Sequence, residues 1–180
     1  MEKRQARKIL KEIRANVTYR AEKEDRICAA ALSLARDFSK IFVYVSMGTE
    51  VSTRGIIAAL LEEKEIYVPY TLADNSMHAV RPRLPMDFVV CGMGNVKSDN
   101  NIYYDGQADL IITPLLGFDS NCNRLGYGAG CYDRYFEKYP NGIKAGLAFS
   151  EQQCEISLES SDFPLDMIIT PDGIIRRNNG

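Results

Sequence analysis

Short β-branched and aromatic runs alternate along this chain with stretches of helical periodicity, and that alternation restricts the fold more than any other feature. The segments 41–45, 66–69, 109–113, 143–149 and 167–170 are apolar runs of strand length. Runs this continuous suit strands covered on both faces. Between them, residues 3–17, 22–38, 53–63 and 132–138 follow the helical period. Ala6, Ile9, Leu10, Ile13 and Val17 share one face of the first helix, and Ile27, Ala31, Leu34 and Phe38 one face of the second. Ile56, Ile57, Leu60 and Leu61 do the same in the third. The alternation predicts an α/β fold with a mainly parallel sheet and helices on both faces. Residues 71–108 are polar and rich in Asn and Asp, and are expected to hold a hairpin and a mobile loop. With 180 residues, 46% of them apolar, and no repeat or linker, residues 1–180 are expected to form a single domain.

The stretch from Asn123 to Arg134 carries the chemistry. Gly126, Gly128 and Gly130 alternate in a loop between an apolar strand and a helical pattern. Glycine permits positive φ and lets a ligand approach the backbone with no Cβ in the way. Loop N–H groups and a helix N-terminus together form an anion cradle. Arg124, just before the glycines, can grip phosphate in a bidentate fashion, and Asp133, just behind them, can hold magnesium against the same phosphates. The competing reading is a surface loop whose glycines only permit tight turns. A Walker loop is excluded, because this one ends Gly130-Cys131-Tyr132 rather than in Gly-Lys-Ser/Thr. The dinucleotide fingerprint is excluded by the strictly alternate spacing and by the position two-thirds along the chain.

Composition removes whole classes of function. Net charge is −2, so the molecule as a whole has no reason to seek nucleic acid. Five scattered cysteines (Cys28, Cys91, Cys122, Cys131 and Cys154) include no Cys-x-x-Cys pair, which argues against disulfides and structural zinc and for a reducing cytoplasm. No run approaches membrane-spanning length, and the start Met-Glu-Lys-Arg does not resemble a signal peptide, so no membrane association is expected. A single histidine, His78, rules out histidine triads and multi-histidine metal sites; its polar neighbours predict a solvated loop position.

Two further features border the same crevice if the sheet is parallel, because ligands of open parallel sheets sit beyond the carboxyl ends of the strands. Glu50 follows the strand at 41–45, as the glycine loop follows the strand at 109–113. A carboxylate before a helix has a competing role in complementing the helix dipole. Lys3, Arg7, Lys11 and Arg14 cluster on one face of the first helix, where the competing reading is a solvated basic stripe.

These residues resemble the 5-formyltetrahydrofolate cyclo-ligases (methenyltetrahydrofolate synthetases) over most of the chain. Pro114-x-x-x-Phe118-Asp119-x-x-x-Asn123-Arg124-Leu125-Gly126-x-Gly128-x-Gly130-x-Tyr132-Asp133 is similar to the family signature. Tyr44-x-Ser46-x-x-x-Glu50-Val51-x-Thr53 resembles its substrate loop, and the basic start from Lys3 to Arg7 its nucleotide-contacting segment. Gly146-Leu147-Ala148-Phe149-x-x-Gln152 and Asp162-x-Pro164-Leu165-Asp166 resemble its C-terminal motif. The resemblance implies a three-layer α/β/α fold of the kind shared with phosphosugar isomerases and CoA-transferases. It implies an ATP- and Mg²⁺-dependent cyclisation of 5-formyltetrahydrofolate to 5,10-methenyltetrahydrofolate, with release of ADP and phosphate; a monomer is expected. ATP is then expected on Lys3, Arg4, Gln5, Ala6 and Arg7 and on Arg124, Leu125, Gly126, Tyr127, Gly128, Ala129, Gly130, Cys131 and Tyr132. The folate is expected against Val45, Glu50, Tyr127, Gly128, Ala129, Gly130 and Cys131. Magnesium is expected on Asp133 and Asp166, and Arg124 and Asp133 are the expected catalytic pair.

The chain departs from the family pattern at Cys131, where a tyrosine is usual, and in residues 90–105, which lack an obvious Gly-Ile-x-Glu-Pro segment. Two other readings remain open on the residues alone. One is a non-catalytic nucleotide- or folate-binding module. The other is a sugar-phosphate isomerase or CoA-transferase relative, for which Glu50 is the only tempting acyl acceptor.

Overall fold

A computed structural model describes residues 2–82, 90–91, 95–96, 103–160 and 162–178. Residues 83–89, 92–94 and 97–102 of the segment expected to hold a mobile loop, and so most of residues 90–105, lie outside that set. The α-helices among the described residues are α1 (Lys3–Ala15), α2 (Arg20–Ala35), α3 (Arg54–Leu60) and α4 (Cys131–Lys138). The strands are β1 (Lys40–Val43), β2 (Glu65–Thr71), β3 (Met77–Val80), β4 (Val90–Cys91), β5 (Asn95–Val96), β6 (Tyr103–Tyr104), β7 (Leu110–Thr113), β8 (Gly117–Phe118), β9 (Arg124–Leu125), β10 (Ile143–Leu147), β11 (Met167–Thr170) and β12 (Gly173–Arg176).

Eight of these strands form one sheet in the order β12-β11-β10-β7-β1-β2-β3-β6. The five from β11 to β2 are mutually parallel, as the alternation predicts. Each flank ends in antiparallel strands, β12 on one side and β3 with β6 on the other. Those edge strands are short and mixed in polarity, which is why apolar runs alone do not reveal them. His78 is one consequence: it sits on β3 opposite Tyr70, and its ring packs 4.5 Å from that of Tyr103 rather than in a solvated loop.

The side-chain period of two divides the strands between two cores. Ile41, Val43, Ile66, Val68, Leu110, Ile112, Met167 and Ile169 face α2 and α3, meeting Ile27, Ala31, Ile56 and Ile57. Phe42, Tyr67, Ile111 and Ile168 face the opposite way and meet Tyr135 and Phe136 of α4. The result is three layers. Helix α1 stands apart, seated by Ala6 and Leu10 on Leu116 and Leu125. It is rotated from the expected face: Ile9 and Ile13 are 39% and 37% exposed, while Arg14 is buried. A small hairpin, β8 with β9, intervenes between β7 and the glycine loop and sets the height at which that loop begins.

Candidate active site

The carboxyl ends of the parallel strands open into a cavity of about 980 Å³. Tyr44 and Val45 follow β1, Thr71 ends β2 and Pro114 follows β7, and all four line it. The glycine loop, α1, the loop before α3 and Glu159, Ser160, Asp162 and Phe163 supply further walls.

The glycine-loop wall is built as its sequence demands. Gly128 and Gly130 adopt φ of +103° and +67°, left-handed values that side chains resist. Gly130 caps α4, so the helix N-terminus, with Cys131 and Tyr132, opens on the cavity. A Cβ on Gly128 would lie 3.1 Å from the Arg7 guanidinium, so the bare glycine spares that cation a crowded contact with the loop. Arg124 donates from its Nη2 to Asp133 Oδ1 at 2.7 Å, and the Phe163 N–H reaches the same oxygen at 3.3 Å. The Arg124 side chain is only 6% exposed, and its Nε is buried without a partner. The residue lines the cavity beside the glycine loop, and a guanidinium there suits an anion. Burial raises the Cys131 thiol above its usual range, so it faces the cavity protonated.

Helix α1 contributes Lys3, Arg7, Lys11 and Arg14, one stripe at steps of four, four and three. The expected segment is thereby split by helix geometry. Lys3 and Arg7 line the cavity, Arg4 and Gln5 point to solvent, and Ala6 packs in the core beneath. Arg7 donates to the Gly126 carbonyl at 3.0 Å. Lys3 pairs with Asp162 at 2.7 Å and Glu159 at 3.0 Å. Burial by itself would lower the Lys3 pKa, but the bonds and charges of those two carboxylates outweigh it and hold it above its ordinary value. The same bond holds Asp162 below the usual carboxylate range, against the opposite pull of its own burial.

The opposite wall carries Val45 and Glu50. Glu50 accepts the Met47 N–H at 2.8 Å on one oxygen and the Tyr127 hydroxyl on the other. Helix α3 begins only at Arg54, so the carboxylate turns to the cavity rather than to the helix end. Burial, followed by the Glu50 charge, pushes the Tyr127 phenol upward, so it remains a donor. Burial and Glu50 likewise keep the Tyr44 and Tyr132 phenols protonated.

Asp166 is the one expected site residue set at the far end of a strand. It precedes β11 at the amino end, where its carboxylate accepts the Lys144 N–H at 2.7 Å, and it does not line the cavity. The reason is topological: between Phe163 and Met167 the chain descends from the cavity to start a parallel strand. Within that motif the carboxylate on the cavity is Asp162. Among the described residues, no group of three His, Cys, Asp or Glu side chains is poised to hold a metal. Sequence reasoning missed Arg14 as a buried wall residue, and Thr49, Met77 and Glu159 altogether. For Arg14 the signal was available, since it continues the basic stripe.

Comparison with known proteins fits this geometry. The family model described as "5-formyltetrahydrofolate cyclo-ligase family" matches residues 1–171. A 5-formyltetrahydrofolate cyclo-ligase of Haemophilus influenzae is 32% identical over 176 residues, covering 91% of this chain and 94% of that one. The mouse 5-formyltetrahydrofolate cyclo-ligase is 31% identical, covering 74% and 73% of the two chains. The solved structure of Aquifex aeolicus 5,10-methenyltetrahydrofolate synthetase superposes with a TM-score of 0.84 at 25% identity, over 100% of this chain and 95% of that one. The Mycoplasma pneumoniae 5,10-methenyltetrahydrofolate synthetase shares the fold, with a TM-score of 0.79 at 21% identity over 95% and 99% of the two chains. With nearly the whole chain matched and the signature loop on the wall of a ligand-sized cavity, this protein is an enzyme of the 5-formyltetrahydrofolate cyclo-ligase family.

Proposed function

We propose that this enzyme uses ATP and Mg²⁺ to close 5-formyltetrahydrofolate to 5,10-methenyltetrahydrofolate, releasing ADP and phosphate. One observation carries the reading: a single cavity sets an anion cradle with added cations against a carboxylate wall fit for a pterin. Glycine-loop amides, Arg124, Lys3 and Arg7 suit the phosphates. Val45 and Glu50 suit the reduced pterin, whose N–H groups an ionised carboxylate accepts. The residues from Tyr127 to Cys131 lie between the two.

A formamide carbonyl is a poor electrophile, because nitrogen donates into it, and its oxygen is a poor leaving group. Transfer of the γ-phosphoryl group to the formyl oxygen forms one O–P bond, breaks the β–γ bridge and releases ADP. The N10 amine then attacks the activated carbon and loses its proton, and phosphate departs with the former formyl oxygen. Such chemistry depends on positioning and charge neutralisation more than on a strong base. The Arg124 guanidinium and the loop amides supply fixed positive charge where the phosphoryl group moves.

Magnesium typically binds through one or two carboxylates together with nucleotide phosphates, retaining several waters. Asp133, on the cavity wall beside Arg124, fits that role; Asp166, engaged with the Lys144 backbone, does not. When bound, the ion would neutralise and orient the phosphates. The absence of a preformed three-ligand cluster among the described residues agrees with a metal that arrives with the nucleotide.

We take the working unit to be a monomer, and cytoplasmic because its scattered cysteines suit a reducing compartment; sedimentation at working concentration checks its size. The decisive assay mixes pure protein with 5-formyltetrahydrofolate, ATP and Mg²⁺ and follows methenyl absorbance and ADP. Product and ADP should appear in equal amounts, and omission of nucleotide or metal should stop both. Folate binding with no product would instead identify a non-catalytic binding protein.

A further inference from the structure

Arg14 is a buried cation that the proposed reaction does not use directly. It is 5% exposed and emerges from the last turn of α1 between two walls of the cavity. Its Nη1 donates to the Tyr127 hydroxyl at 2.7 Å and to the Leu115 carbonyl at 3.2 Å, and its Nε donates to Thr49 Oγ1 at 3.1 Å. The Tyr127 hydroxyl, receiving from Arg14, passes its own hydrogen to Glu50. Thr49 is the residue next to Glu50, and Arg20 fixes its carbonyl at 3.2 Å. One guanidinium thus grips the Glu50 loop, the glycine loop and the segment after β7. Its planar fork of fixed donors makes this possible, and a lysine ammonium lacks that fork.

We propose that Arg14 is a positioning residue: through Tyr127 and Thr49 it fixes the Glu50 carboxylate in the orientation that accepts the pterin. The proposal rests on the folate role given above to Glu50. A carboxylate on a loop samples several rotamers, and each must be lost when the folate binds. With Tyr127 on one oxygen and the Met47 N–H on the other, Glu50 is ordered beforehand on the cavity wall. The same phenol keeps the glycine loop in register with that wall, so ligands on the two walls meet in a defined relation.

The test compares Tyr127→Phe, which deletes only the bridging hydroxyl, with Arg14→Met, in both the wild-type and Glu50→Gln backgrounds. Folate KM, ATP KM, calorimetric folate Kd and melting temperature are measured on each. In the wild-type background both variants should raise folate KM and Kd about fivefold, the scale of one lost hydrogen bond, and Arg14→Met should leave ATP KM within about twofold. In the Glu50→Gln background their added effect should fall within about twofold, because residues acting through one another are non-additive. Unchanged folate affinity in Tyr127→Phe, or full additivity with Glu50→Gln, overturns the proposal. Arg14→Met alone does not decide it if the variant melts early, which is why Tyr127→Phe is included. Wild-type protein that neither binds nor turns over the folate would defeat the functional reading itself, a result distinct from normal wild-type activity with indifferent variants.

Discussion

Arg124 and Asp133 hold each other in an ion pair on the cavity wall, a structural role beside the catalytic one proposed for them. Asp133→Asn removes the charge that faces Arg124 and that would hold magnesium. Turnover should fall about 10²-fold, the usual cost of losing one electrostatic stabiliser. The variant should remain folded but lose about 1 kcal/mol, since an amide still accepts the Arg124 bond more weakly. Steady-state kinetics at limiting Mg²⁺ and a denaturant melt read the two effects separately; near-normal turnover removes Asp133 from the site. Glu50→Gln keeps shape and loses charge. It should weaken folate binding and slow turnover, leaving ATP KM and melting temperature close to wild type. Had Glu50 served the helix dipole, the loss would appear instead as roughly 0.3–1 kcal/mol of stability with unaltered folate kinetics. Its bonds to Met47 and Tyr127 already favour the first outcome.

At the scale of elements, α1 and the glycine loop join segments more than a hundred residues apart into one wall of the cavity, the wall proposed above to take the phosphates. Replacing Lys3 and Arg7 together with alanine should raise ATP KM at least about tenfold and folate KM less than about twofold. A merely solvated helix face predicts changes within about twofold in both, since such surface substitutions are near neutral. The basic stripe was legible at helical spacing, but not its rotation. Apolar counting put Ile9 and Ile13 inward, whereas the helix turns Lys3, Arg7, Lys11 and Arg14 to the cavity and leaves both isoleucines half out. A helix lying over a cavity mouth, rather than over a sheet, satisfies its charges as well as its apolar stripe. The strands show the same division. The central parallel runs are apolar on both faces and announce themselves, whereas β3, β6 and β12 form only because a neighbouring strand offers its edge.

For the whole molecule, the ion pair between Lys3 and Asp162 ties the irregular segment before β11 to the first helix. Asp162 has a folded pKa below its ordinary value, so the stability it contributes is present above about pH 3.9 and is lost as pH falls through the lowered value. Lys3→Met should therefore narrow the gap between melting temperatures at pH 7 and pH 3, and an unchanged gap would show that the pair adds nothing. The amino-acid sequence by itself determined the α/β class, the parallel centre of the sheet, and the glycine loop with Arg124 and Asp133. Those properties depend on local periodicity, on φ preferences and on residues close together in the chain. Only the tertiary structure decided which end of a strand each acidic residue occupies. It took Asp166 to the amino edge and left Asp162 on the cavity. Only the tertiary structure, too, joined Arg14, Tyr127 and Glu50, whose contact depends on how α1, the loop after β9 and the loop after β1 converge. Convergence of this kind is set by packing over the whole sheet, which no short window of sequence contains.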